Sequence, residues 1–151
     1  MLADPPAEPA QPPIEVRPSF AVVLCVLAGG AVGALARYGL GRVIHVPVNG
    51  FPRSTFVINL TGAFVLGVFL TVLHERRLAA RYSRPLIAIG FLGAYTTFST
   101  MAVETVVLVK DGHAGVGIEY LVLSVALGIA LCALGVIATR AVVRPRARGA
   151  A

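Results

Sequence analysis

The sequence predicts an all-α membrane protein with four transmembrane helices. Three observations carry that prediction. Hydrophobic residues make up 57% of the 151 residues and charged residues only 13%, about half the charge of a typical soluble domain; mean hydropathy is +0.84. Four apolar runs, 20–40, 54–73, 86–109 and 118–139, are each long enough to span ~30 Å of hydrocarbon at ~1.5 Å per residue. Cations flank these runs and, Arg37 apart, stay out of them. A chain of this length cannot enclose a wide aqueous lumen, so any pathway through it is narrow or shared between subunits.

Each run has its own character. The first carries Gly29-Gly30-Ala31-Val32-Gly33 and ends in Arg37-Tyr38; it is too long for a signal peptide and lacks a small-residue cleavage site before a soluble domain. The second places Thr55, Asn59 and Gly62 in an otherwise apolar stretch. The third begins after Pro85 and contains Gly90-Phe91-Leu92-Gly93-Ala94-Tyr95-Thr96-Thr97-Phe98-Ser99-Thr100. Two glycines and four Ser and Thr hydroxyls inside a span predict a helix broken mid-membrane, because irregular backbone there must be buried in protein or line a polar cavity. The same residues also suit a helix-packing face, where small and hydroxyl side chains are enriched. The fourth run holds Tyr120 and Ser124.

The flanks divide the chain into three parts. Residues 1–18 contain six of the ten prolines and read as a disordered tail. Residues 19–140 form the membrane domain, and 141–151 a basic tail. The net charge of +6 does not point to nucleic acid, since the arginines flank a hydrophobic span; contact with anionic lipid headgroups accounts for them better. Cys25 and Cys132 sit in separate spans, and His45, His74 and His113 lie at span ends without metal-ligand spacing. No nucleophile–base pair or metal centre emerges, so the reading is not an enzyme.

Taken in order, Gly29–Tyr38, Thr55–Gly67 and Gly90–Thr100, with Tyr120 and Ser124 in the last span, resemble the CrcB/Fluc family of fluoride channels. The resemblance covers roughly residues 20–140. It implies a four-helix chain acting as an antiparallel dimer that passively exports fluoride across the inner (plasma) membrane. Asn59 then belongs to a pore vestibule, and Tyr120 and Ser124 to a polar track. Phe98 corresponds to a pore phenylalanine whose ring edge, the positive end of the quadrupole, faces the anion. A second family phenylalanine is replaced here by Met101, which leaves open an altered or silent pore. Backbone carbonyls of Gly93 and Thr96 correspond to a structural Na+ site at the dimer axis.

The residues suit that chemistry independently. Fluoride is a hard acceptor that must exchange water for donors, and neutral donors hold it without trapping it. Asn59 offers an amide; Thr55, Tyr120 and Ser124 offer hydroxyls. Thr55 and Asn59 are four apart, as are Tyr120 and Ser124, so each pair shares a helix face. Arg37 draws anions to a vestibule or snorkels to the interface. Glu104 is expected to face a polar vestibule or to pair with a cation.

With four spans, Arg17, Arg76, Arg77, Arg81, Arg84, Arg140, Arg144, Arg146 and Arg148 share one side, against Arg42, Arg53 and Lys110 on the other. Nine against three predicts cytoplasmic termini and one fixed orientation. An oppositely oriented homologous partner would then complete a heterodimer. Two rival functions remain. A small proton-coupled multidrug transporter needs a mid-membrane acid, whereas the first two runs have none and Glu104 is off-centre. A non-conducting subunit would tolerate loss of pore residues, yet only the Met101 position departs from the pattern.

Overall fold

Apolar runs of this length have no water to share their backbone hydrogen bonds with, so they close them internally as helices. The computed structural model describes residues 19–76 and 80–143; its regular elements are all helices, with no strand among the described residues. Helix α1 spans Phe20–Val43 and α2 spans Arg53–Glu75. The third crossing has two parts. Its first, α3 (residues 80–95), runs from a turn at Ala80–Ser83 through a π-helical stretch, Arg84–Leu92, to a last turn at Gly93–Tyr95. Its second, α4, spans Phe98–Lys110, and α5 spans Ala114–Val143. Four segments, Phe20–Val43, Arg53–Glu75, Ala80–Lys110 and Ala114–Val143, are long and apolar enough to cross a membrane.

The helices outrun the apolar runs at several ends. In particular α5 continues to Val143, past the expected boundary at residue 140. At that boundary Arg140 Nε lies 3.3 Å from Glu75 Oε1, tying the end of α5 to the end of α2. Residues 1–18, 77–79 and 144–151 lie outside the described residues, and with them the expected disordered tail and most of the basic one.

Small residues decide how the helices pair. A Cβ on Gly29 would meet the Leu86 carbonyl oxygen, and one on Gly33 the Phe91 carbonyl oxygen. The backbones of α1 and α3 therefore touch along a Gly-xxx-Gly edge, the way membrane helices associate when lipid is as apolar as their side chains. Likewise α2 lies against α5, where a Cβ on Gly135 would sit 2.6 Å from the Phe64 carbonyl oxygen. The interior is correspondingly thin. Ile58, Leu92, Met101, Leu108 and Tyr120 are its buried apolar side chains, while most large aliphatic residues face outward.

Candidate functional site

The third crossing is interrupted between Tyr95 and Phe98. Thr96 (φ −78°, ψ 158°) and Thr97 (φ −150°, ψ 115°) are both extended, so their neighbours lose helical partners. Asn59 of α2 repairs the gap. Its Nδ2–H donates to the Thr97 carbonyl at 2.9 Å, and the Thr97 N–H donates to its Oδ1 at 2.8 Å. A carboxamide is the side chain that offers a donor and an acceptor side by side. Thr97 then restarts the helix as N-cap of α4, its Oγ1 accepting from the Thr100 N–H at 3.2 Å.

These substitutions free two carbonyls. In an unbroken helix the Gly93 and Thr96 carbonyls would accept from the N–H groups of Thr97 and Thr100. Asn59 and the Thr97 hydroxyl hold those donors instead. Both residues line a groove of about 420 Å3 running between α2, the break and α5. Asn59, Phe98, Met101 and Ser124 line it too, and no charged side chain does. Ser124 Oγ is buried there without a hydrogen-bond partner. An orphaned buried hydroxyl costs roughly 1–3 kcal/mol, so in this groove it asks for an acceptor or a water. Phe98 is 73% exposed and Met101 only 4%; the ring projects from the bundle while the thioether helps close the floor.

Thr55 and Tyr120 are placed differently from Asn59 and Ser124. Both donate to one carboxylate: Thr55 Oγ1–H to Glu104 Oε1 at 2.9 Å, and Tyr120 O–H to Glu104 Oε2 at 2.7 Å. Tyr120 is fully buried, with Phe51 edge-on at 5.3 Å between ring centroids. The two hydroxyls thus serve an anion already built into the protein. Glu104 also lines a second cavity of about 550 Å3 at the end of the bundle where α1 gives way to α2.

Of the expected pathway residues, Asn59, Phe98, Met101 and Ser124 meet at the groove, as do Gly93 and Thr96. Thr55 and Tyr120 form the adjoining Glu104 cluster, and Arg37, half-buried on α1, lines neither cavity. Glu104 is the residue that reasoning from donors alone leaves out. Its signal is an acid inside an apolar span, which is functional by default in a membrane helix. What it binds is hydroxyl rather than cation.

The family profile described as CrcB-like protein, Camphor Resistance (CrcB), matches residues 24–136. The chain is 43% identical over 117 residues to fluoride-specific ion channel FluC 1 of Mycobacterium bovis, covering 78% of this chain and 89% of that protein. It is 40% identical over 125 residues to fluoride-specific ion channel FluC of Saccharophagus degradans, covering 83% and 94%. A third relative, fluoride-specific ion channel FluC of Acidobacterium capsulatum, is 44% identical over 115 residues, covering 76% and 92%.

Proposed function

This chain belongs to the CrcB-like family and is a multi-pass membrane protein, and from that premise we propose that it is a fluoride-specific channel exporting the ion passively. It is not an enzyme. The observation that carries the reading is the orphaned Ser124 hydroxyl in an uncharged groove beside Asn59 and Phe98. A dehydrating fluoride needs such donors. Ser124 supplies one, and Asn59 a second through the N–H that Thr97 does not take. The ring edge of Phe98 supplies a weak positive field. No fixed cation on the groove holds the ion too tightly to leave.

The protomer reads as half of a channel. Phe98, largely exposed on the groove, would be covered by an antiparallel partner. The carbonyls of Gly93 and Thr96, released from helical duty, suit a hard cation, and a structural Na+ shared with the partner is part of the proposal. Of the nine cations assigned to the side of the termini, Arg76, Arg81, Arg84 and Arg140 are among the described residues; the other five lie outside them. The excess favours cytoplasmic termini in the inner membrane, contacts with anionic lipid and a heterodimer with an oppositely inserted homologue.

Reconstitution tests these statements together. Vesicles carrying the chain with its oppositely biased homologue should release fluoride and retain chloride, and the dimer should weaken when a bulky cation replaces sodium during purification. The chain alone should release little. Fluoride retained as well as chloride would overturn the channel reading. Robust release by the chain alone, with termini labelled on both faces, would replace the heterodimer by a homodimer.

A further inference from the structure

Tyrosines of membrane proteins gather at the two interfaces, where the ring sits among headgroups and the hydroxyl reaches water. Tyr95 does not. It lies at the middle of the crossing Ala80–Lys110, as the last helical residue before the break, and it does not line the groove. A phenol at that depth needs a partner within the protein. It has one on α2: Tyr95 Oη lies 2.9 Å from Thr61 Oγ1. The single hydroxyl hydrogen of Thr61 goes to its own helix, shared between the Val57 and Ile58 carbonyls at 2.7 and 3.1 Å. Its oxygen remains free to accept, so Tyr95 O–H is the donor. Phe91, one turn back, stacks on the ring with 5.8 Å between centroids and 6° between planes.

The pair completes a cradle that α2 builds around the break. Asn59 holds Thr97 through two hydrogen bonds, and Thr61 holds Tyr95. Gly62 makes room for the residue between them, since a Cβ there would overlap the Thr96 methyl and press on the Tyr95 ring. Thr96 closes onto its own helix, its N–H and its hydroxyl both donating to the Leu92 carbonyl at 3.0 and 2.9 Å. The Asn59 bonds fix the start of α4 and leave the end of α3 unpinned. Of that last turn, Gly93 and Ala94 have no polar side chain, so only Tyr95 can bond across to α2. The two freed carbonyls, of Gly93 and Thr96, flank Tyr95 in the chain.

We propose that Tyr95 and Thr61 are positioning residues for the sodium site: their bond holds the last turn of α3 in the arrangement in which the Gly93 and Thr96 carbonyls serve one cation together. The inference rests on the sodium reading above and adds to it two side chains that hold the carbonyls rather than bind the ion. Carbonyl dipoles brought together without a cation repel one another, so the ready arrangement needs a tie of its own. Where the competent state is only partly populated, apparent affinity falls by that fraction. Losing one hydrogen bond between membrane helices corresponds on average to about threefold in such an equilibrium.

The channel assembled for the reconstitution above is titrated in detergent with sodium at constant ionic strength, a bulky cation making up the difference. Dimer fraction and thermal midpoint are read at each concentration, and fluoride release is measured on the same preparation. Tyr95→Phe keeps the ring and its stack on Phe91 but should need about threefold more sodium for the half-effect. At saturating sodium its dimer fraction should match the native one. Thr61→Val should behave alike, and the double variant should be no worse than either single one, because one bond is lost in all three. Thr61→Ser, which restores the hydroxyl, should return the half-effect to the native concentration. A half-effect unmoved in Tyr95→Phe overturns the proposal, and so does a thermal loss equal with and without sodium, the mark of a bond that only holds the fold. Additive shifts in the double variant overturn it too, since the two hydroxyls would then act separately. A native dimer insensitive to sodium at every concentration overturns the sodium reading and this proposal with it, while fluoride release from the same preparation reports on the channel separately.

Discussion

Asn59→Asp abolishes fluoride flux, with the loss expected to reach at least about a hundredfold. Like charges about 4 Å apart at an effective dielectric of about 20 repel by about 4 kcal/mol, more than enough for that factor. The substitution keeps the acceptor for the Thr97 N–H but sets a carboxylate against the Thr97 carbonyl, where the amide now donates. Some loss of stability, roughly 1–3 kcal/mol, accompanies the loss of flux. Asn59→Leu separates the two roles. It removes both bonds to Thr97 without adding charge, so it should unfold more easily than Asn59→Asp and yet keep more flux per folded protein. Vesicle efflux and thermal stability in detergent give both readings. Full efflux from folded Asn59→Asp protein would remove Asn59 from the pathway.

Gly33→Val destroys the fold. The added side chain would overlap the Phe91 carbonyl and neighbouring α3 backbone atoms, which cannot rotate away as a flexible side chain would. Overpacking typically costs about 1–3 kcal/mol when side chains can yield; against backbone the expected cost is at the top of that range or above it. Separating α1 from α3 also displaces the Thr96–Thr97 break at the end of α3, and with it the groove. Gly39→Ala, on the same helix with nothing within 4 Å of an added Cβ, should be tolerated. The yield of monodisperse protein checks both. A normal yield of Gly33→Val would mean that α1 and α3 do not approach this closely.

Most of the fold and half of the groove are legible in the amino-acid sequence. Hydrocarbon thickness and the lengths of the apolar runs determine four crossings, because a backbone in lipid has no other way to satisfy its donors and acceptors. Two glycines and a run of hydroxyls in the third run point to the region where helix α3 stops, and the groove contains the expected Asn59, Phe98, Met101 and Ser124. What the sequence leaves hidden is which partner each polar group takes. A spacing of four places Thr55 with Asn59, and Tyr120 with Ser124, on shared faces. It does not say what stands opposite. Packing of α2 and α5 around the broken crossing decides that Thr55 and Tyr120 both bond Glu104, that Asn59 spends half its amide on Thr97, and that Ser124 alone is left unpaired. Periodicity along one helix fixes direction around its own axis, whereas a hydrogen bond requires two atoms on different helices within about 3 Å, a distance that only the assembled bundle supplies.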